Sequence, residues 1–153
     1  MVRFFEWLMN SPWSHALASA EWVFPIVQSV HFIGFALLIG TAAIVDLRLL
    51  GFGLRQQKAD ELAADFDTWQ RVGLTLILMT GLMMFSSSAL AYYRNSSFRF
   101  KMACLMLALL FHFTLHRRAL RSDVSPITAK LAGATSLLLW SAVVAGGRMI
   151  AFV

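Results

Sequence analysis

Residues 23–45 read VFPIVQSVHFIGFALLIGTAAIV, an uncharged apolar run with one ionisable side chain, His31. A helix of about 20 apolar residues crosses the roughly 30 Å hydrocarbon layer of a bilayer, so this run predicts a membrane-spanning helix. Ionisable side chains inside hydrocarbon are costly and usually face a bundle interior, where they mark a ligand, ion or proton site. His31 therefore predicts that the chain holds something between its helices.

Three further apolar segments decide the fold class. The chain has 153 residues, of which 59% are hydrophobic, and its mean hydropathy is +0.69. Proteins average about 45–50% apolar residues, so this composition indicates a membrane protein. The predicted spans cover about residues 22–50, 70–91, 98–118 and 128–152. We therefore predict an all-α fold, an integral membrane four-helix bundle that forms a single membrane domain over residues 1–153.

Shorter segments flank these spans. Residues 1–21 mix aromatic side chains with Arg3, a pattern that predicts short N-terminal interfacial helices, with His15 as a surface residue. Residues 51–69 are rich in charged side chains and predict a short solvated helix before the second span. In the turn before the third span, Ser97 is expected to cap the helix.

The Lys and Arg residues set the expected orientation in the membrane. With four spans, both chain ends share one side. That side holds Arg3, Arg94, Arg99, Lys101 and Arg148, and the other holds Arg48, Arg55, Lys58, Arg71, Arg117, Arg118, Arg121 and Lys130. The more basic side is expected to be cytoplasmic, so we predict a multi-pass protein of the bacterial inner membrane with both termini periplasmic. With its basic residues at the span ends, the net charge of +5 favours interaction with lipid headgroups. We exclude nucleic acid as a partner, because the sequence shows no basic face and no stacking platform.

Charged residues mark the far end of the first span. Asp46 and Arg48 lie there. The predicted role is a structural ion pair or a contact with a neighbouring helix end, and a proton relay is the functional alternative.

Two more histidines lie near the end of the third span. At about 100° per residue, Lys101 and His112 lie within about 20° of one helix face, and His116 is one turn further on. His116 precedes two arginines and is expected to be an interfacial residue. Counted at about 1.5 Å per residue from the same surface, His31 is about 12 Å deep and His112 about 21 Å deep. A helix tilt of about 20° would absorb part of this difference.

A b-type haem needs an apolar slot, axial imidazoles and cations for its propionates. His31 and His112 are the expected axial ligands, with His116 as a substitute, and Lys101 and Arg148 are expected near the propionates. The leading hypothesis is a membrane-embedded protein that binds haem b and transfers electrons, linked to quinone or to a redox partner protein. A bis-imidazole iron has no open position, which favours electron transfer over ligand activation.

Two alternatives use the same residues differently. As an i, i+4 pair, His112 and His116 would present two imidazoles to copper, with methionine thioethers as further ligands. The candidates are Met79, Met83, Met102 and Met106. Alternatively, the histidines only hydrogen-bond across helices in a cofactor-free membrane scaffold subunit. Close packing within the bundle or in a homo-oligomer is permitted by small residues four apart at Ala36/Gly40, Ala132/Ser136 and Ala142/Gly146.

Several segments resemble an uncharacterised family of small four-span bacterial membrane proteins. They are His31-Phe-Ile-Gly-Phe-Ala-Leu-Leu-Ile-Gly40, Val45-Asp-Leu-Arg-Leu-Leu-Gly51, Phe100-Lys-Met102, Phe111-His112 and Trp140-Ser-Ala-Val-Val-Ala-Gly-Gly-Arg148. This resemblance covers nearly the whole chain and implies no established activity.

A second resemblance is more distant. A histidine that opens an apolar segment in span one, with a lysine eleven residues before a histidine in span three, is similar to the four-helix bacterial protoporphyrinogen IX oxidases. It implies haem or porphyrin binding, with His31 and Lys101 as the matching residues and His112 as an additional histidine. A porphyrinogen oxidase-like enzyme, in which Lys101 and His31 act on a bound tetrapyrrole, is the alternative that it adds. The layout also resembles the copper-resistance D family, proposed to move copper across the inner membrane. The segment around Asp46 and Arg48 departs from the oxidase pattern.

Overall fold

The computed structural model describes residues 21–53, 56–121 and 124–152, together with residues 3, 7, 9–12, 14 and 17. The predicted interfacial helices of residues 1–21 lie mostly outside this part of the chain, and the predicted surface residue His15 lies wholly outside it. All regular structure in the described part is helical. The helices are α1 (Val23–Leu50), α2 (Ala59–Ser87), α3 (Ala89–Arg94), α4 (Ser96–Phe111), α5 (Arg117–Ala119) and α6 (Pro126–Met149), with a π turn at His112–His116 and a 3₁₀ turn at Ile150–Phe152.

Three helical segments of the described ranges are long and apolar enough to cross a membrane: α1, the continuous segment Ser96–Ala119, and α6. They support the helical membrane class that the sequence predicts. The predicted second span is divided differently. α2 begins at Ala59, so the expected solvated helix of residues 51–69 runs without a break into the apolar part. The helix ends at Ser87, because the backbone leaves the helical region at Ser88 (φ −150°, ψ 45°), and the short α3 comes next.

Local signals explain where the long helices begin and end. Gly51 ends α1 with a left-handed backbone (φ 92°), which glycine adopts without a steric penalty. Asn95 caps α4, because its side-chain oxygen accepts a hydrogen bond from the N–H of Phe98 at 3.0 Å. The expectation that Ser97 caps this helix is therefore wrong, and Ser97 is buried instead. Ser125 caps α6 through its hydroxyl.

Neighbouring long helices run antiparallel, in the order α2, α1, α6, α4. α1 packs along α2 and α6, and α4 packs along α6. Over the described residues, no Cα atom of α2 lies within 8 Å of one in α4, so this side of the bundle is less tightly closed. Phe85 of α2 stacks on Phe98 of α4 at one end, with ring centroids 5.5 Å apart. The core cluster consists of Leu38, Ala42, Ile77, Leu105, Ala108, Trp140 and Val143.

Two glycines let the backbones of neighbouring helices touch. A Cβ atom on Gly73 of α2 would lie 2.8 Å from the carbonyl oxygen of Gly34, and one on Gly133 of α6 would lie 2.8 Å from that of Asp46. At Gly40 the same position has nothing within 4 Å. Both α2 and α6 therefore approach α1 at a distance that only glycine allows.

The two ends of the bundle carry different elements. α1 ends and α6 begins at one of them, which we call the 51–58 end. α3 lies at the opposite one, which we call the 88–95 end.

Candidate functional site

His31 lies between α1 and α2, in the half of the bundle near the 88–95 end. Its Nδ1 is 2.7 Å from the hydroxyl oxygen of Thr80. Because that hydroxyl donates its own proton to the carbonyl of Leu76, its oxygen accepts the Nδ1–H of His31. This assignment makes Nε2 the acceptor nitrogen of the neutral ring. The ring also meets the ring of Phe35, with centroids 5.0 Å apart.

Lys101 reaches the same place from α4. Its Nζ is 5.2 Å from the centroid of the Phe35 ring, which His31 also contacts. The ammonium also lies 3.5 Å from where a Cβ on Gly147 would stand, so the glycine leaves room for it. The charge of Lys101 acts on the His31 ring, and no carboxylate of the described residues pairs with it. The structure therefore brings His31 and Lys101 to one place.

His112 lies elsewhere. Its ring stacks on the ring of His116, with centroids 5.4 Å apart and planes 19° apart. Thr80 of α2 is bonded to His31 and therefore lies at the depth of His31 in the bundle. Gln70 of α2 lines the same cleft as His112 and therefore lies near the depth of His112. Ten residues of helix separate these levels by about 15 Å, and the core cluster lies between them. The structure does not bring His31 and His112 together, so axial bonds from both to one iron have no support in it.

Arg148, the other predicted propionate partner, is exposed. Its guanidinium carbon lies 5.9 Å from the ring centroid of Phe152. It borders an apolar groove on the outer face of α1 and α6, where Trp140 and Ala43 also lie. Of the two predicted cations, only Lys101 lies beside His31.

The residues considered for copper are also apart. Met79, Met102 and Met106 are exposed on the outer faces of their helices. Within the ranges that the structure describes, no three His, Cys, Asp or Glu side chains form a group that could hold a metal ion. These methionines therefore do not join His112 and His116.

A buried acid–imidazole pair joins α1 to the end of the third membrane-length segment. Asp46 is 0% exposed and His116 is 2% exposed, and the Oδ1 of Asp46 lies 2.6 Å from the Nε2 of His116. The carboxylate accepts the Nε2–H, so a charge-assisted hydrogen bond crosses the bundle. Asp46 thus contacts a neighbouring helix end, which is one of its two predicted structural roles. Arg48 does not pair with it and donates to the carbonyl of Gln57 at 2.8 Å.

The backbone at residues 112–116 departs from the α-helix, and both imidazoles enter the bundle from this segment. One helical turn widens here into a π turn, a rare conformation that is frequent at functional sites. His112 and His116 are both buried, while Phe113 and Leu115 between them are exposed. His116, which is expected to be interfacial, therefore turns its ring into the bundle and not toward the headgroups.

Polar atoms around this pair lack protein partners. Oδ2 of Asp46, Nδ1 of His116 and Nδ1 of His112 are buried and have no hydrogen-bond partner in the part of the chain that the structure describes. The same holds for the Oγ of Ser136, on the helix whose Gly133 touches the Asp46 backbone. Buried polar atoms are nearly always hydrogen-bonded, so a group of unpaired ones indicates a place where water, an ion or a ligand is exchanged.

A cleft of about 410 Å³ opens beside this site, between α2 and the segment that comes after α4, at the 51–58 end. We call it the histidine cleft, because His112 and His116 line it. Its charged lining residues are Asp67, Arg71 and Arg117, and Asp67 pairs with the two arginines at 2.6 and 3.2 Å. Arg117 and Asp67 also act electrostatically on His112. The histidine pair is therefore buried and still borders a polar opening.

Sequence reasoning named both partners of the buried pair and did not join them. The sequence does contain a signal that could have joined them, namely the depth of each residue below the end of the bundle. Asp46 lies four residues before the end of α1, and His116 lies three residues before the end of α5. Both helices end at the 51–58 end, so the two side chains lie about one turn from the same surface.

The chain was compared with known proteins. The model of a family of unknown function, DUF6644, matches residues 4–153. No curated protein and no solved structure matches the chain. The matched residues include His31, Lys101 and the whole Asp46–His116–His112 site. The chain therefore belongs to the family of unknown function DUF6644, in agreement with its resemblance to an uncharacterised family.

Proposed function

We propose that this protein is a four-span inner-membrane protein that takes up and releases protons at the buried Asp46–His116–His112 site. The observation that carries the proposal is the fully buried Asp46–His116 hydrogen bond of 2.6 Å, inside a bundle of membrane-length helices. An ionisable pair is costly in such a place, and it marks a path for ions or protons by default.

In this proposal α2 and α3 together form the second span. α2 packs along α1 with backbone contact at Gly73, so its apolar part lies at the depth of α1. Four spans bring both chain ends to one side, and the larger number of basic residues on the other side favours a cytoplasmic 51–58 end. The histidine cleft then opens at the cytoplasmic surface, and both termini are periplasmic.

Asp46, His116 and His112 are ionisable side chains that lie next to one another in this order. His116 gives its Nε2–H to Asp46, which leaves its Nδ1 able to accept a proton. His112 stacks on His116 and borders the cleft, so it meets solvent protons. Histidine is the side chain that ordinarily changes charge between about pH 5 and 8. The core cluster closes the bundle toward the 88–95 end, so exchange takes place with the cytoplasmic side.

Nitrogen NMR of the protein in lipid nanodiscs, labelled with ¹⁵N in histidine only, tests this proposal. We expect the ring-nitrogen signals of His112 and His116 to change with pH, because histidine is the side chain that ordinarily exchanges protons closest to neutral pH. Asp46→Asn should alter the titration of His116 and leave that of His31 unchanged, because His31 is bonded to Thr80 in the other half of the bundle. Single His→Gln variants assign the signals.

Asp67→Asn is the matched control. It removes a carboxylate from the same end, but this one is 33% exposed and shared by Arg71 and Arg117. The His116 titration should be nearly the same as in the unaltered protein. The proposal is wrong if the signals of His112 and His116 do not change with pH, or if Asp67→Asn shifts His116 as much as Asp46→Asn does.

One observation favours a second candidate function, tetrapyrrole binding near the 88–95 end. His31 and Lys101 meet at Phe35, and Lys101 has no carboxylate partner in the described ranges. Thr80 orients His31 through Nδ1, as the outer hydrogen-bond partner of a metal-bound histidine does, and Nε2 is the ring atom that would face iron. His31 would supply one axial ligand and Lys101 one propionate partner, and neither of the two clefts described above is lined by them. The structure offers no second axial ligand from His112.

Titration of the detergent-purified protein with haemin tests this candidate by visible spectroscopy. A bound haem supplies one-electron chemistry, and its Soret band reports ligation. The band should be lost in His31→Ala, weakened in Lys101→Gln and unchanged in His112→Ala. Equal spectra for His31→Ala and the unaltered protein exclude the candidate. Quinone-linked electron transfer, porphyrinogen oxidation and copper handling stay predictions.

A further inference from the structure

We infer that the histidine cleft binds a small oxyanion, a phosphate or carboxylate group, and that the anion enters together with a proton taken up by the histidine pair. The proton uptake in this inference depends on the function proposed above. The anion rests on separate features, namely the charges and the unpaired atoms of the cleft.

The charged side chains that line the cleft sum to a positive charge. Arg71 and Arg117 supply two positive charges, and Asp67 supplies one negative charge. Asp46 does not line the cleft, because it is fully buried behind His116. Each guanidinium presents five N–H donors in a planar fork, and Asp67 occupies only some of them. Guanidinium forks with free donors suit the oxygens of carboxylates and phosphates.

The unpaired Nδ1 atoms of the two histidines extend the proposed anion site from the opening of the cleft toward its inner end. His112 and His116 are each more than nine-tenths buried, line the cleft and leave Nδ1 without a partner in the described chain. An anion held by Arg117 at the opening therefore finds imidazole groups and the amide of Gln70 further in. The volume of about 410 Å³ holds a small ion with its water, and it lies near the lower limit of the about 300–1,000 Å³ typical of ligand pockets.

Binding of the anion and protonation of the histidine pair are coupled, because the two have opposite charges. The charged groups that face the histidine pair are Asp46 from α1, Asp67 and Arg71 from α2, and Arg117 from α5. No charged side chain of α6 lines the cleft. An anion added to this group favours the protonated imidazole, because an opposite charge nearby stabilises the charged form. At a pH where the histidine pair is mostly neutral without the anion and mostly protonated with it, each bound anion should therefore bring close to one proton with it.

The cleft lies between α2 and α5 at the predicted membrane surface, so the oxyanion has two possible sources. It is either free in solution or part of a phospholipid headgroup. Calorimetric titration with succinate, in nanodiscs of phosphatidylcholine alone and in discs that contain phosphatidylglycerol, distinguishes them. Equal binding in both discs identifies a free anion, and loss of binding in the anionic discs identifies competition by the headgroup. Inorganic phosphate serves as a second probe.

Two variants with the same change of charge test the site. Arg117→Gln should weaken succinate binding by about tenfold or more, the effect of losing one charge-assisted contact of about 1.4 kcal/mol. Lys130→Gln removes an exposed cation from the same end that does not line the cleft, and binding should be unchanged. The anion site is overturned if succinate and phosphate bind in neither kind of disc, or if the two variants bind equally.

Titration in buffers of different ionisation enthalpy counts the protons that accompany the anion. We expect proton uptake with succinate at a pH between the titration midpoints of the histidine pair without and with the anion, and none in His112→Gln with His116→Gln. Anion binding without proton uptake overturns the coupling and leaves the anion site intact. Histidines that titrate in the NMR experiment while no anion binds leave the proposed function intact and overturn the anion site.

Discussion

Removal of the Asp46 carboxylate should destabilise the bundle more than removal of any exposed carboxylate. We expect Asp46→Ala to lower the free energy of unfolding by about 1.5–3 kcal/mol, the contribution of a hydrogen bond to a charged group. The two side chains are 0% and 2% exposed, so neither water nor salt screens their 2.6 Å contact. The change also leaves the Nε2–H of His116 without an acceptor, on a ring whose Nδ1 already has no partner in the described chain.

Asp46→Asn separates the charge from the hydrogen bond. Asparagine keeps an oxygen that accepts the Nε2–H of His116 and removes only the negative charge. A hydrogen bond to a charged group contributes about 1.5–3 kcal/mol and a neutral one about 0.5–1.5 kcal/mol, so we expect this variant to cost about 1–2 kcal/mol. Asp67→Ala is the control, because its exposed pairs with Arg71 and Arg117 contribute about 0–1 kcal/mol each.

Unfolding in mixed micelles of a mild detergent and dodecyl sulfate measures these free energies. Intrinsic tryptophan fluorescence, to which the buried Trp140 contributes with the four other tryptophans, and circular dichroism report the transition. The double variant Asp46→Ala with His116→Ala should cost less than the sum of the single variants, because no orphaned donor remains. The reasoning is refuted if Asp46→Ala and Asp67→Ala agree within about 1 kcal/mol, or if the double variant is additive.

Contacts outside this pair give three more predictions. Gly73→Ala should cost about 1–3 kcal/mol in the same unfolding assay, because its Cβ would meet backbone atoms at 2.8 Å, whereas Gly40→Ala should cost nothing measurable. Asn95→Ala should cost about 1 kcal/mol through loss of the α4 cap, and an unchanged unfolding midpoint would contradict this. Thr80→Val should shift the NMR signals of His31 alone, because it removes the acceptor of the Nδ1–H.

The long helices could be predicted because their signals are local. The expected first span of residues 22–50 ends with α1 at Leu50, where Gly51 takes a left-handed backbone. The break at Ser88 and the π turn at residues 112–116 carry no comparable signal. Both are places where the chain adjusts to its neighbours, and packing between helices cannot be read from the periodicity of one helix.

The site was harder to predict because it depends on which helices meet. Counting residues along each helix predicted that His31 and His112 differ in depth by about 9 Å. In the structure the two side chains do not meet. Asp46 and His116 are 70 residues apart in sequence and belong to helices that are not consecutive. Their equal depth was available from the sequence, but their common side of the bundle was not.

The gap between α2 and α4 has a mechanical consequence. In the described part of the chain, the long helices form two pairs, α1 with α2 and α4 with α6, and the contact between α1 and α6 joins the two pairs. On the open edge, stacked Phe85 and Phe98 hold one end together, and the Asp67–Arg117 contact holds the other. Stacked aromatic rings are insensitive to salt and acidity, whereas the partly exposed Asp67–Arg117 ion pair is screened by salt. Changes in ionic conditions should therefore loosen this edge from the 51–58 end alone.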